Sequence, residues 1–276
     1  MIRRMLAVVC RIAIVSFVAI GLLVACGSED ELLLGATTSV HDSGLLDELV
    51  AAFEDESDLN VKPIALGSGQ LMAMARRGEL DVIMAHSPED EEALIAEGFA
   101  VERIPVMRNH FLVAGPASDP AGVAGARDLG DAFARIADSE AGFVSRGDES
   151  GTHRRELAVW SELGVDPAAE SSYRVSAVGQ GQSLLVANDG ADYTLVDSAT
   201  VIAFAERLQI VEIYRDKVEP NVYSVLRLDA DRLPHVKEDA ADAWIEFMVS
   251  ERAQRVILES GREEYGVSLF EPLLLD

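Results

Sequence analysis

A polar, glycine-rich run at residues 145–153 is the stretch of this sequence whose residue types are best suited to binding chemistry. It reads Ser-Arg-Gly-Asp-Glu-Ser-Gly-Thr-His and leads into a segment in which Leu157, Trp160 and Leu163 recur at helical spacing. A polar turn that opens a helix directs several unpaired backbone N–H groups at one point, and the helix dipole adds positive potential there. Arg146 would add a planar fork of donors that matches an oxyanion. The run therefore predicts one wall of an anion-binding site.

Three other polar turns lie in the same strand–turn–helix setting. Residues 37–44 are rich in hydroxyl groups and follow an apolar strand predicted at 32–36. A Gly-Ser-Gly-Gln turn at 67–70 and a Gly-Gln-Gly-Gln-Ser turn at 179–183 also follow strand-like segments. Because ligands of open α/β sheets bind beyond the carboxyl ends of the strands, we expect these turns to border one crevice.

The order of the predicted elements indicates an α/β fold. Strands alternate with amphipathic helices, which favours mixed, mostly parallel sheets joined by helical crossovers. A polar turn is predicted at 108–110 and a loop at 116–130. The predicted strands are 32–36, 60–66, 81–85, 103–106, 111–115, 143–144, 174–178, 192–197, 210–214 and 223–228.

Composition limits the range of partners. The chain has 276 residues, 49% of them hydrophobic, which is enough for one large domain or two smaller ones. Lys plus Arg number 23 and Asp plus Glu number 48, so the formal net charge is −25. This charge argues against nucleic acid and anionic membrane surfaces as general partners. It would also repel an anion at long range, so an anion site has to rely on convergent donors at short range.

The N-terminus predicts export. A short basic region precedes an almost wholly apolar stretch at 12–25, which has the length of a signal-peptide core and is short for a membrane span. It ends Leu-Val-Ala-Cys-Gly at 23–27, which resembles the lipobox of bacterial lipoproteins. We therefore predict a signal peptide at 1–25, lipidation of Cys26, a tether at 26–31 and a location on the outer face of the cell membrane. The alternative is an uncleaved N-terminal anchor.

Five motifs in order resemble the tungstate-binding lipoproteins of bacterial ABC importers. They are Leu-Gly-Ala-Thr-Thr-Ser-Val-His-Asp-Ser-Gly-Leu-Leu at 34–46, Gly-Ser-Gly-Gln at 67–70, the run at 145–153, Gly-Gln-Gly at 179–181 and Tyr-Thr-Leu at 193–195. The likeness covers about residues 32–272. It implies a two-lobed, type II periplasmic-binding-protein fold with the ligand in the cleft, and two crossings near 112–116 and 196–200. Lobe 1 would comprise 32–113 plus 199–276, and lobe 2 would comprise 114–198.

The resemblance also implies a function and a set of contacts. The chain would be a monomeric, cofactor-free binding lipoprotein that captures a tetrahedral oxyanion, tungstate above all, and delivers it to an ABC permease. The implied oxyanion contacts are Thr37, Thr38, Ser39, Ser68, Ser145 and Arg146. Additional candidates in the cleft are Gly69, Ser150, Gly151, Thr152, Gly179, Gln180 and Ser198.

Two departures from the family pattern keep the identity of the ligand open. Ala36 stands where the family usually has a threonine, and Ser198 stands where it has an arginine that is an oxyanion partner in relatives. Losing one charge-assisted contact costs about 1.5–3 kcal/mol, or about ten- to hundredfold in affinity. The alternatives are a receptor for phosphate, molybdate or sulfate, or a sensor lipoprotein that lost tight binding. Asp148 would suit phosphate, since a carboxylate accepts the proton of HPO₄²⁻.

Enzymatic and metal-binding functions are disfavoured. A hydrolase triad built on Ser150 and His153 lacks the Gly-x-Ser-x-Gly elbow. The five histidines are scattered and show no paired ligand spacing. We therefore predict a binding protein without a catalytic or metal site.

Overall fold

The structure is a computed structural model that describes residues 31–275. The predicted signal peptide at 1–25 and the predicted lipidation site, Cys26, lie outside these described residues. Within residues 31–275, no helix combines the length and the apolar character needed to cross a membrane.

The described chain is an α/β structure, as predicted. The strands are β1 (Glu31–Thr37), β2 (Asn60–Leu66), β3 (Val82–Ala85), β4 (Ala100–Gly115), β5 (Phe143–Ser145), β6 (Tyr173–Val175), β7 (Thr194–Asp197), β8 (Val211–Leu228) and β9 (Glu271–Pro272). The helices are α1 (Thr38–Asp42), α2 (Leu45–Glu54), α3 (Ser68–Arg76), α4 (Pro88–Ala96), α5 (Leu129–Ala137), α6 (Gly151–Leu163), α7 (Gln180–Gly190), α8 (Ser198–Phe204), α9 (Glu238–Val249), α10 (Glu251–Glu259) and α11 (Arg262–Tyr265). Single 3₁₀ turns lie at Val123–Gly125, Pro167–Ala169 and Ala205–Arg207.

The main sheet is mixed, with the order β2–β1–β3–β8–β4–β7 and β9 paired to β4. Strand β1 is parallel to both β2 and β3. Strands β4 and β8 are antiparallel to each other, β8 is antiparallel to β3, and β4 is antiparallel to β7. Strand β2 lies at the edge, which is where a strand tolerates Pro63. A separate parallel pair, β5 and β6, completes the sheets.

Strands β4 and β8 are longer than the sequence predicts. They contain 16 and 18 residues and pair across four register shifts. The polar turn predicted at 108–110 is wrong, because Arg108, Asn109 and His110 pair with residues 220–222 in the middle of this ladder. The segments 210–214 and 223–228, predicted as two strands, likewise belong to one strand, β8, except for residue 210. Local polarity misleads here because the partners lie more than a hundred positions away.

Four hydrophobic cores pack on the sheets. The largest lies under α2, α9 and α10, where Phe53 meets Trp244 edge-on at a centroid distance of 5.1 Å. A second core, around Leu71 and Ile83, lies on the other face of the same strands. The third, around Phe133 and Trp160, and the fourth, around Val144 and Leu184, cover the two faces of the β5–β7 region.

The segment after residue 198 divides between these cores. Ala199 is buried in the largest core and Ile202 packs against it, whereas Val201, Phe204 and Leu208 pack on the fourth core beside Val144. The segment therefore contacts both the largest core and the β5–β7 region before the chain enters β8.

Helix α6 begins at the predicted position but buries a different face. Ser150 caps it, accepting a hydrogen bond from His153 N at 3.3 Å. Trp160 is buried as predicted, but Leu157 is exposed and Glu156 is buried instead. The carboxyl group of Glu156 can lie inside because Tyr173 OH donates to its Oε1 at 2.7 Å.

Candidate functional site

The polar turns meet at the carboxyl ends of the strands. Gly69 N donates to Glu149 O at 3.2 Å, which joins the turn after β2 to the turn after β5. Gly181 N donates to Asp42 Oδ2 at 2.9 Å, and Gln180 N donates to Thr38 Oγ1 at 3.3 Å. These contacts join the start of α7 to α1. Turns that are far apart in the sequence therefore enclose one polar site.

Arg146 lies at the centre of this site with only 2% of its surface exposed. Its Nη1 donates to Gln180 Oε1 at 2.7 Å and its Nη2 to Thr38 Oγ1 at 3.2 Å, and Nη2 also forms an ion pair with Asp148 Oδ2. Burial lowers the pKa of the guanidinium, and the charge of Asp148 opposes this. An arginine keeps its proton nevertheless, so a buried cation contacts the starts of α1 and α7 and the 145–153 turn. We call Arg146, Asp148, Thr38 and Gln180 the Arg146 cluster.

The backbone of the 145–153 turn explains how this cation is held. Gly147 has φ +61°, and a Cβ there would stand 2.1 Å from Val175 Cγ1. Glycine is thus required both by the left-handed conformation and by the close approach of β6. Asp148 Oδ1 accepts from Ser150 N at 3.2 Å, which fixes its carboxylate between the helix start and Arg146.

Several buried donors at the site lack partners. Arg146 Nε, Ser68 Oγ and Thr152 Oγ1 are each buried without a hydrogen bond among the described residues. Leaving a buried polar group unsatisfied costs about 1–3 kcal/mol, so such groups mark a place where a ligand is expected. A guanidinium nitrogen and hydroxyl groups are donors suited to a small oxyanion.

The predicted contacts lie at different distances from the Arg146 cluster. Thr38 and Gln180 belong to it, and a Cβ on Gly179 would stand 3.4 Å from Thr38 Cγ2. Thr37 and Ser39 are buried at the end of β1, with their hydroxyl oxygens 3.3 Å apart.

Two neighbouring glycines fit tightly at the junction. A Cβ on Gly69 would stand 2.9 Å from Glu149 Cβ, and one on Gly151 would stand 2.4 Å from His86 O. Both approaches leave no room for a side chain. The first brings the 67–70 and 145–153 turns together, and the second brings the start of α6 against His86, which follows β3.

Two candidates direct their hydroxyl groups elsewhere. Ser145 lies on the same face of β5 as Phe143, and its Oγ makes no hydrogen bond of ordinary geometry, yet it lies close enough to Glu156 to lower that group's pKa. Ser198 Oγ accepts from His110 N at 3.3 Å, on the side of β4. Neither hydroxyl is placed against Arg146.

A buried network that sequence reasoning missed contacts Ser39 in the hydroxyl turn, Thr37–Ser39. We call it the amide network. It consists of His86, Asn109, Asp197, Asn221 and Tyr223, each at most 3% exposed. Tyr223 OH donates to Ser39 Oγ at 3.0 Å, and Asn109 Nδ2 donates to Asp197 Oδ1 at 2.9 Å. The pairing of Asn109 with Asn221 across β4 and β8 carries no local sequence signal that could have revealed it.

The charges around Arg146 are mainly negative. Asp148, Asp197 and Asp42 all favour its charged form. Burial raises the pKa of Asp197, opposed chiefly by hydrogen bonds from Thr200. His86 adds no positive charge at neutral pH, because burial lowers its pKa to about 4.

Two open cavities lie outside the Arg146 cluster. One of about 580 Å³ is lined by residues that include Pro105, Phe111 and Arg155, and one of about 700 Å³ is lined by residues that include Glu48, Glu259 and Glu263. Neither is lined by Arg146 or by Thr37, Thr38 and Ser39, although Gly151 lines the first and Ser43 lines the second. Among residues 31–275, no group of His, Cys, Asp and Glu could hold a metal ion.

The long paired strands, the turns at the strand ends and the enclosed cation together define an α/β protein with a polar site at the carboxyl ends of its strands, which is where open α/β folds bind small ligands. Residues 25–252 match the family model of the PBP superfamily domain. The chain belongs to this superfamily, and the predicted type II periplasmic-binding-protein fold is confirmed.

Three known proteins are similar to most of the chain. The tungstate-binding protein TupA of Peptoclostridium acidaminophilum is 37% identical over 249 residues, covering 89% of this chain and 86% of the relative. A crystal structure of the tungstate ABC transporter from Geobacter sulfurreducens is 35% identical with a TM-score of 0.76, covering 84% of this chain and 99% of that chain. The tungstate-binding protein of Desulfovibrio alaskensis G20 is 32% identical with a TM-score of 0.73, covering 88% and 98%. Two of these relatives are thus described as tungstate-binding proteins and the third as a tungstate ABC transporter.

Proposed function

We propose that this chain is the substrate-binding lipoprotein of an ABC importer and that it captures a tetrahedral oxyanion, with tungstate as the first candidate. The observation that carries the proposal is Arg146, a buried cation whose Nε lacks a partner, on a turn that contacts the 67–70 turn; the Ser68 and Thr152 hydroxyls of these two turns also lack partners. A small anion that accepts from these groups would satisfy donors that the protein itself leaves unsatisfied. The tungstate-binding relatives support the same ligand class.

The proposed mechanism is closure of two lobes on the anion. Lobe 1 carries β1 to β3 and α9 to α11, lobe 2 carries β5 to β7, and β4 and β8 connect them. The packing of Val201 and Phe204 on the fourth core supports a return crossing within β8, later than the boundary at residue 199 that the sequence predicts. Contacts from both lobes to one ligand would stabilise the closed form by differential binding.

The cell-level part of the proposal rests on the N-terminus and on the relatives. Export and an anchor at Cys26 would hold a monomeric receptor at the membrane, where it would deliver the anion to the permease. The amino-acid pattern at 23–27 and the transport systems of the relatives support this arrangement.

The test is isothermal titration and thermal unfolding of the purified protein with tungstate, molybdate, sulfate and phosphate. A ligand at a hundred times its Kd should stabilise the fold by about 2.7 kcal/mol. A shift with phosphate alone would replace tungstate as the ligand, and a protein that binds none of the four would refute the receptor.

The matched variants are Arg146→Ala and Arg127→Ala. Arg146→Ala should weaken binding about ten- to hundredfold, since one charge-assisted contact contributes about 1.5–3 kcal/mol. Arg127 has 82% of its side chain exposed and is paired only with Asp131 on the surface of α5, so its removal should leave the affinity unchanged. Equal effects of the two substitutions would show that the anion binds elsewhere.

A further inference from the structure

The direction of each hydrogen bond in the amide network can be worked out from one backbone group. Thr200 N, which can only donate, donates to Asp197 Oδ1 at 3.0 Å, so this oxygen is an acceptor. Asn109 must therefore present its Nδ2 to the same oxygen and its Oδ1 to Asn221. This orientation holds whether or not the other oxygen of Asp197 carries a proton.

Asn221, on β8, links Asn109 to His86 and Tyr223. Asn221 Nδ2 donates to Asn109 Oδ1 at 2.8 Å and to Tyr223 OH at 3.1 Å. Asn221 Oδ1 is then left to accept from His86 Nδ1 at 2.8 Å. Because Tyr223 OH accepts from Asn221, its own hydrogen is available to Ser39 Oγ, 3.0 Å away. Burial, reinforced by the charge of Asp197, raises the pKa of Tyr223, so that this hydrogen is retained.

Ser39, in the turn formed by Thr37, Thr38 and Ser39, accepts the last hydrogen bond of this series. Ser39 Oγ accepts from Tyr223, so its own hydrogen points away from Tyr223, towards Thr37 Oγ1 at 3.3 Å or towards a ligand. In either case one hydroxyl hydrogen, of Thr37 or of Ser39, has no acceptor within this network and is available to a ligand. Two carboxylates of the site already accept from protein donors: Asp148 accepts from Arg146 Nη2 and Ser150 N, and Asp42 Oδ2 accepts from Gly181 N. The site therefore presents donors to a ligand and has few free acceptors.

We infer that Tyr223 is a specificity-determining positioning residue, which orients the Thr37–Ser39 hydroxyl groups so that the site favours oxyanions without a proton over oxyanions that carry one. The inference rests on the proposed function. Tungstate, molybdate and sulfate accept hydrogen bonds through every oxygen, whereas hydrogen phosphate needs an acceptor for its own proton. A buried site that lacks the matching group discriminates by leaving a polar atom unpaired.

The test compares the wild-type protein with Tyr223→Phe by titration with tungstate and inorganic phosphate at mildly alkaline pH, where phosphate is the monohydrogen dianion. The variant should bind tungstate about three- to tenfold more weakly, which is the effect of one net hydrogen bond. Its affinity for phosphate should not fall with it, so the ratio of the two affinities should decrease by the same factor. Tyr214→Phe is the control, since it removes a tyrosine hydroxyl outside the network and should leave the ratio unchanged.

A second variant tests whether Tyr223 acts through Ser39. In a Ser39→Ala background, Tyr223→Phe should cause no further change in the ratio, because the group that it orients is gone. This cycle also remains informative if thermal unfolding shows that Tyr223→Phe is less stable.

The outcomes separate the two proposals. If the wild-type protein binds tungstate but the ratio in Tyr223→Phe stays within twofold of wild type, or the effect persists in Ser39→Ala, the positioning role is refuted while the receptor stands. A wild-type protein that prefers phosphate refutes the positioning role as well. If it binds none of the anions, the proposed function fails, and the inference fails with it.

Discussion

Glu156 allows a quantitative test of how the interior beneath the anion site is organised. Its side chain is 2% exposed on α6, and Tyr173 OH donates to Oε1 at 2.7 Å. Burial raises its pKa from 4.5 to about 7, and the hydrogen bond from Tyr173 opposes this only in part. At neutral pH, a carboxyl group with such a pKa titrates in the folded protein but is fully ionised in the unfolded chain.

The sign and size of the effect on stability follow from linkage. Below pH 4.5 the group is protonated in both states, and its full contribution to stability is present. As the pH rises towards about 7, the folded state holds more protons than the unfolded state, so the free energy of unfolding falls. One pH unit corresponds to about 1.4 kcal/mol, so the total loss from this group is at most about 3 kcal/mol.

The experiment is urea denaturation of the wild-type protein and Glu156→Gln at about pH 4 and about pH 8, either side of this window. The amide is always neutral and can still accept from Tyr173. The two proteins should therefore have similar stability at the lower pH, and the variant should be more stable by up to about 3 kcal/mol at the higher pH. Glu162→Gln, at an exposed position on the same helix, should show no such divergence. A stability difference for Glu156→Gln that does not change with pH would refute the assignment.

Two further predictions concern the turn and the N-terminus. Gly147→Ala should weaken anion binding and lower the free energy of unfolding more than Gly164→Ala, because both have positive φ but only at Gly147 would a Cβ meet a neighbour, Val175, at 2.1 Å. The left-handed strain alone costs about 1–2 kcal/mol, so equal destabilisation in urea denaturation would show that the contact with Val175 is unimportant. Cys26→Ser should abolish incorporation of a fatty-acid probe and release the protein from the membrane fraction, whereas Cys10→Ser, which lies within the predicted signal peptide, should not change the mature protein. Persistent membrane association of Cys26→Ser would favour the uncleaved anchor.

The parts of the fold that the sequence predicts well are those with local causes. The turn at 145–153 combines a cap at Ser150, glycine at a left-handed position and a helix with a buried Trp160, and each of these signals lies within a few residues. Strand β1 and helix α2 are equally local, since a continuous apolar run predicts a strand buried on both faces and apolar residues at helical spacing predict a helix with one buried face. The central position of Arg146 could be inferred because a guanidinium beside several free N–H groups already indicates an anion.

The parts that could not be predicted depend on partners far away in the chain. Asn109 and His110 read as a turn because they are polar, yet Asn109 is buried in the middle of β4 where Asn221, 112 positions later, satisfies it. Ser198 suggested a cleft contact because relatives have arginine there, but its hydroxyl accepts from His110 N. A polar residue becomes part of a core when a second chain segment supplies its hydrogen bonds, and one sequence does not show which segment that is.

The charge of the protein explains why the site must be built from buried donors. A net charge of −25 repels an anion at long range, and Asp148, Asp197 and Asp42 surround the buried guanidinium. Salt screens the repulsion between distant exposed charges but hardly affects contacts inside a dry pocket. In the proposed site, capture would therefore depend on groups such as Arg146 Nε and Ser68 Oγ, which lose nothing to water when the anion arrives because they are already buried without partners. Since Ser198 Oγ accepts from His110 N, the discrimination between anions would fall to the neutral hydroxyl groups, whose orientation we infer to be set by Tyr223.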